Sequence, residues 1–453
     1  MIEKREVSGQ VSGTRPDHWR GKQSQRSARL AIVFAVSLSV AAALAGCAPA
    51  GTTRPPSSAA KSNTASTAHA ELPRTVVTPD STTDIPELFK QATGQGQAKQ
   101  YESSARLFER AFTLDPNGPL ADKSLFESAE MYDLNGDHEA ALSRYEQVAR
   151  RFPSSELDRV ARVRALRLLT YLEQYERAGE LAELTAAKYK DLLSFDQLAV
   201  LSARALSRLA ANDDEQAELA IGKARDIIER ENLDGAGRVP GELAPVYFAL
   251  GELRRVRAER IHFVPVPENF GAVLEQRCQL LLDAQGAYSD AMRAYDSHWS
   301  AMAGYRVGEL YQKLHEELMQ VPPPTAADTE SRRQLFEGAM RLRYSILLDK
   351  AKAMLDHTVA MADRTGEQSP WVLKSRQARD SIVQAMEQER QALGSLPYTR
   401  AQLQAALDSF TAGPVPAPTP PAPKPAAKKP PAKNAVEEWR RERCHGGSRS
   451  PCF

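Results

Sequence analysis

Three segments of the chain repeat one another at a fixed spacing, and this repeat limits the possible folds more than any other feature. The segments begin at Tyr101, His138 and Tyr175, so each copy starts 37 residues after the one before it. The first two copies end at Pro116 and Pro153, which are also 37 residues apart. A fixed period of about 20–50 residues indicates a stack of small units that cover one another's apolar faces.

Each copy is typical of the second helix of a helix pair. Apolar residues recur at three-and-four spacing, and another helical segment precedes each copy; in the middle unit it spans residues 125–132 and leads into a turn at 134–137. Proline ends the second helices, because its ring cannot continue a helix. Alanines allow neighbouring helices to approach closely and aromatic side chains fill the remaining space. The alanines are Ala111, Ala129, Ala141 and Ala178, and the aromatic residues are Phe108, Tyr132 and Tyr145.

These units resemble tetratricopeptide repeats, with a slightly longer period than usual. The resemblance covers about residues 86–190, continues more loosely in a fourth unit, and returns in weaker form at 247–251 and 303–311. It implies an all-α fold, an α-solenoid of helix pairs, whose concave surface is lined by the first helices and binds protein partners. The residues that it places on this surface are Phe126, Glu130, Arg167 and Tyr171.

Composition and breaker residues divide the chain into five parts. Ala, Leu, Glu, Arg and Gln dominate and aromatics make up only 7%, which favours helix over strand. Gly- and Pro-rich breaks occur at 234–241 and 262–267. We predict a signal peptide at 1–46, a disordered tether at 47–84, repeats at 85–235, a degenerate repeat-like helical region at 236–410, and a Pro/Ala/Lys-rich disordered tail at 411–453.

The N-terminus carries the pattern of a secretion signal. Positively charged residues 1–29 precede an apolar run of fifteen residues, 30–44. As a helix this run would span about 22 Å, less than the roughly 30 Å hydrocarbon core of a bilayer. It ends at Leu44-Ala45-Gly46-Cys47, which resembles the bacterial lipobox and implies acylation of Cys47, for example with palmitate. An ordinary signal peptide with a chance cysteine, or a permanent membrane anchor, are the alternatives.

The tail and the remaining cysteines are less informative. Residues 413–433 favour polyproline II, an arm of roughly 65 Å. A solvated spacer is the expected role, and contact with an anionic polymer such as peptidoglycan is the alternative. Cys278 is expected to be a buried, inert thiol. Two interpretations apply to Cys444 and Cys452. They form a disulfide in an oxidising compartment or, together with His445, they bind a metal.

No pattern in the sequence indicates catalysis. The chain has no phosphate-binding loop, no zinc-binding helix motif and no nucleophile elbow, so we expect no catalytic residue, metal or cofactor. Beyond residue 46 the chain has 52 basic and 55 acidic residues, without the basic excess of a nucleic-acid binder.

The sequence is similar to tetratricopeptide lipoproteins of outer-membrane assembly and, more narrowly, of gliding motility. Ala48, by resemblance to enterobacterial sorting, implies the periplasmic side of the outer membrane. We therefore predict a non-enzymatic envelope scaffold that is lipid-anchored and binds protein partners. A cell-wall enzyme, or a regulator of a peptidoglycan hydrolase, is the alternative.

Overall fold

The computed structural model describes residues 84–235 and 239–411, and every regular element in these ranges is helical. The helices of the first four units are α1 Ile85–Gln97, α2 Tyr101–Leu114, α3 Ala121–Leu134, α4 His138–Arg151, α5 Asp158–Tyr171, α6 Tyr175–Lys188, α7 Ser194–Ala210 and α8 Asp214–Glu231. A 3-10 turn at Gly241–Leu243 leads into α9 Ala244–Glu259, followed by α10 Phe270–Met292, α11 Ser297–Met319, α12 Glu330–Thr365, α13 Pro370–Gly394 and α14 Arg400–Thr411.

Helices α1 to α12 form six consecutive pairs, and each pair packs against the next. From α5 onward the first helices also contact one another in the order α5, α7, α9, α11, with α13 continuing the row. All three copies of the repeat start at the first residue of a helix: Tyr101 begins α2, His138 begins α4 and Tyr175 begins α6. The predicted all-α solenoid of helix pairs is therefore confirmed for the part of the chain that the structure describes.

Two hydrogen bonds recur with the period of the sequence. Arg151, the last residue of α4, donates to the backbone oxygen of Pro116 at 3.4 Å. Lys188, the last residue of α6, donates to the backbone oxygen of Pro153 at 2.6 Å. Donor and acceptor are both displaced by 37 residues between the two bonds, so neighbouring units are joined by equivalent contacts. Ala141 is fully buried, as expected for a close contact between helices.

The region after residue 238 is helical, as predicted, and its helices α10 to α13 are longer than any helix of the first units. Helices α10 and α11 have 23 residues each and α12 has 36. Gly308 on α11 allows a close approach of α12, because a Cβ atom there would lie 2.7 Å from Leu355 Cγ. One apolar core extends from Leu198 to Ala406 across the predicted boundary at residue 235.

Several predictions concern residues outside the described ranges. The signal peptide, Cys47, nearly all of the tether, Cys444, Cys452 and nearly all of the Pro-rich tail belong to this group. Cys278 is described: it is a free thiol, half-buried rather than buried, and burial raises its pKa. Among the described helices, none combines the length and the apolar character that a membrane span requires.

Candidate partner-binding surface

Phe126 does not lie on an open surface. Its side chain is 9% exposed and belongs to the apolar core of the second and third units. The ring packs edge-on against Tyr145 of α4, with 5.4 Å between the ring centroids. The expectation that Phe126 is exposed on the concave face is wrong, because the ring instead fills the space between α3 and α4.

Glu130 and Arg167 are partly exposed, and each pairs with a charged residue of a neighbouring element. Glu130 on α3 lies 3.8 Å from Arg164 on α5, and Arg167, one turn further along α5, lies 3.8 Å from Glu242. These ion pairs are long and solvated, so each contributes at most about 1 kcal/mol. The two predicted residues therefore lie on one surface formed by neighbouring first helices, and a partner would have to displace only weak contacts.

Tyr171 is covered by a later part of the chain. Its ring stacks on His298, at the start of α11, with 3.7 Å between centroids, and its other neighbour is His138 at 4.6 Å. Close by, the indole nitrogen of Trp371 on α13 donates to Glu173 at 2.8 Å. These closing contacts join the end of α5 to the starts of α11 and α13. Partner binding by Glu130, Arg167 and Tyr171 stays a prediction.

A buried ionic cluster lies on the first helices next to these contacts. Glu252 on α9 accepts a hydrogen bond from Tyr288 at 2.6 Å and pairs with Arg255 at 2.8 Å and Arg306 at 3.1 Å. Burial alone would raise the pKa of the Glu252 carboxyl, but the two guanidinium groups outweigh it and hold the pKa below the ordinary value of 4.5. Glu259 and Glu309 also pair with these arginines, so both guanidinium groups are neutralised and the cluster fixes α9 against α11.

An open cavity of about 490 Å³ lies between α11 and α13, beside this cluster. Its polar lining consists of Tyr305, Glu309, Gln312, Lys313, Glu316, Lys374, Gln377 and Ser381. Lys313 is held by Glu259 at 2.8 Å, and the Lys374 ammonium lies 3.8 Å from the centroid of the Trp371 ring. Two amides, two hydroxyls, two carboxylates and two fixed ammonium groups offer both donors and acceptors to a bound segment.

The sequence did not identify this cavity as a site. Residues 303–311 were recognised as a repeat-like first helix, yet the opposite wall comes from α13, about 70 residues later in the sequence. A helix pattern in a single sequence shows which face of α13 is apolar but not which helix it meets. Within residues 84–235 and 239–411, no three His, Cys, Asp or Glu side chains are grouped closely enough to hold a metal ion.

Comparisons with known proteins add little to this description. No family model and no curated protein matches the chain. Among solved structures, the chain is similar to a tetratricopeptide repeat protein from Parabacteroides merdae, with 13% sequence identity over 66% of this chain and 98% of that chain and a TM-score of 0.36. At that score the likeness carries no argument, so the assignment of the fold depends on the repeat and on the observed helix pairs.

Proposed function

We propose that this protein is a non-enzymatic scaffold of the bacterial cell envelope that binds protein partners on the inner surface formed by its first helices. The observation that carries the proposal is the open cavity between α11 and α13, whose walls belong to two consecutive first helices. Stacked helix pairs expose such walls along their whole length, so that one extended segment contacts several units at once.

The chemistry of the cavity favours a polar peptide segment. Gln312, Gln377 and Ser381 supply neutral donors and acceptors that suit peptide N–H and C=O groups. Lys374 is held against an aromatic ring, so little side-chain freedom is lost when it meets a carbonyl or carboxylate. A cavity of about 490 Å³ is within the usual range for binding clefts, about 300–1,000 Å³.

Filling the cavity should abolish partner binding without unfolding the protein. We expect Ser381→Trp to fold normally, since Ser381 is exposed, and to lose the partners recovered from solubilised envelopes. Loss of a real binding hot spot typically costs about 2 kcal/mol or more, a roughly 30-fold drop in affinity. The matched control is Val383→Trp, which adds the same ring to an exposed position of α13 outside the cavity. Unchanged recovery by a folded Ser381→Trp variant would exclude the cavity as the binding site.

The second part of the proposal is a lipid anchor on Cys47 at the periplasmic side of the outer membrane. The support is the apolar run followed by Leu44-Ala45-Gly46-Cys47, in which small residues fit a narrow peptidase site and the thiol accepts the diacylglycerol. More than one acyl chain gives stable anchoring. The 37 residues from 48 to 84 would span roughly 35 Å as a flexible coil, which leaves the helical units near the membrane.

Substitution of Cys47 tests the anchor directly. We expect Cys47→Ala to lose all incorporation of a fatty-acid analogue and to accumulate as an uncleaved precursor, because the lipoprotein signal peptidase acts on the acylated cysteine. The measurement is labelling of cells followed by gel analysis, with Cys278→Ala as the control that removes a thiol elsewhere. Label that remains on the Cys47→Ala protein would contradict the proposal.

A further inference from the structure

A second groove lies on the third and fourth units, away from the cavity between α11 and α13. The connection between α6 and α7 and one face of α8 form its walls, and α7 lies between them; the groove has a volume of about 410 Å³. It therefore combines one first helix with the second helix of the same unit, whereas the cavity between α11 and α13 is built from two first helices. None of the residues discussed in the previous section lines it.

Its charge is opposite to that of the helical units as a whole. Four cations line the groove, Lys190, Arg204, Lys223 and Arg230, and Asp226 is the one acidic residue among the lining residues. Residues 84–411 contain 50 acidic and 41 basic side chains. A basic groove on an acidic background concentrates positive potential where the surrounding surface repels anions.

These cations are poorly neutralised by the chain itself. Lys190 donates to the backbone oxygen of Ala186, and Lys223, which is exposed, has no carboxylate within 4.0 Å in the described part of the chain. Among the described residues Arg230 pairs with Glu231, at 3.4 Å, and 63% of its side chain is exposed. Arg204 is the exception, because Glu183 lies 2.6 Å from it. Three of the four cations are therefore available to an incoming anion.

The groove also has an apolar component. Val200, Leu201 and Ile227 line it between the charged groups. Leu219, with 52% of its surface exposed, precedes Lys223 by one turn on the same face of α8. Lys223 and Arg230 are seven residues apart on this helix, which places them about 10 Å apart along its axis.

We propose that this groove docks an acidic, leucine-containing segment of another protein. Carboxylates spaced by about 10 Å would meet Lys223 and Arg230, a spacing that a helix provides over seven residues. Apolar side chains between them would cover the groove floor, and one beyond the carboxylate that meets Lys223 would cover Leu219. The chain's own ends match this requirement poorly, since residues 47–83 have three basic and two acidic side chains and residues 412–453 have eight and three.

A designed peptide tests the proposal with the full mature chain. The probe is a fluorescent amphipathic peptide that carries glutamates seven positions apart with leucines between them, and its counterpart carries lysines at the same positions. We expect the acidic peptide to bind and the basic one not to bind. The Lys223→Glu, Arg230→Glu double variant should weaken binding of the acidic peptide by about tenfold or more, measured by fluorescence anisotropy.

Two controls separate the groove from general charge effects. Lys90→Glu, Arg106→Glu changes the net charge equally at exposed positions of the first unit and should leave binding unchanged. Ser381→Trp should also bind the peptide normally, because Ser381 lines the cavity between α11 and α13 and not the groove. Loss of binding at the cavity can therefore be distinguished from loss of binding at the groove. Three results with the peptides would overturn the proposal. They are equal binding of both peptides, no binding of the acidic peptide, and undiminished binding of the acidic peptide by the Lys223→Glu, Arg230→Glu variant. Binding to phosphatidylglycerol vesicles that depends on Lys223 and Arg230 without peptide binding would also overturn it, and would assign the groove to membrane contact.

Discussion

Glu252→Ala is expected to destabilise the protein by about 3–5 kcal/mol, because it leaves buried cations without their shared carboxylate. Arg255 and Arg306 both pair with Glu252, and the Tyr288 hydroxyl donates to it from a fully buried ring. Arg255 retains Glu259 and Arg306 retains Glu309 in the variant, yet the tyrosine hydroxyl loses the acceptor that holds it. Urea unfolding followed by circular dichroism measures the loss.

The matched control for Glu252 is an exposed glutamate with a comparable arginine contact. Glu218 accepts two hydrogen bonds from Arg257 but is 59% exposed, so Glu218→Ala should cost no more than about 1 kcal/mol. Equal losses in the two variants would show that burial of the cluster adds nothing to its stability.

The same carboxyl gives a pH dependence with a definite sign. The pKa of Glu252 is lowered in the folded state, so its contribution is complete above the unfolded value of 4.5 and is lost as pH falls through the folded pKa. The Glu252→Gln variant cannot titrate there. Its stability should therefore fall less steeply below about pH 4.5 than that of the unaltered protein.

Trp371→Ala should have the second large effect, a loss of about 3–5 kcal/mol, since it removes a large buried ring. Trp371 is 2% exposed, its ring centroid lies 5.3 Å from that of Tyr305, and its indole nitrogen donates to Glu173 in the turn after α5. Hydrogen exchange should accelerate at the end of α5 and in the first turns of α13, where the closing contacts are made.

Two further substitutions divide the role of Trp371 into its parts. Trp371→Phe keeps most of the apolar ring and removes the indole donor, so we expect a loss of about 1 kcal/mol. Leu373→Ala, two residues later and 58% exposed, should change stability by no more than about 0.5 kcal/mol. If Trp371→Ala unfolds no more easily than Leu373→Ala, the contact with Glu173 does not hold the fold together.

The repeat made the first units predictable from the sequence alone. A fixed period gives the helix starts at Tyr101, His138 and Tyr175 without knowledge of the packing, because each unit forms the same pair of helices from an equivalent stretch of sequence. The later units were predicted as degenerate repeats, with first helices recognised at 247–251 and 303–311. Helices α10 to α13 are longer than those of the first units, and the contact of α11 with α13 depends on residues far apart in the sequence, which periodicity does not report.

The candidate site was predicted less well than the fold. Phe126 was placed on the inner surface by resemblance, whereas its ring is buried against Tyr145. Charged residues are normally expected outside, so nothing in the sequence indicated that Glu252 is buried; its partners come from helices 36 and 54 residues away. The basic groove was not predicted for a similar reason, since its cations are spread over two helices and the connection that precedes them.

The closing contacts between the end of α5 and the starts of α11 and α13 change the order in which the helical units should unfold. In a linear array each unit touches only its neighbours, so stability is approximately a sum of local terms and the ends melt first. Here Tyr171 meets His298 and Glu173 meets Trp371, which links the third unit to helices three and four units further along. Such a link couples distant units into one cooperative block, in which α13 and the third unit should unfold together rather than in sequence from the end.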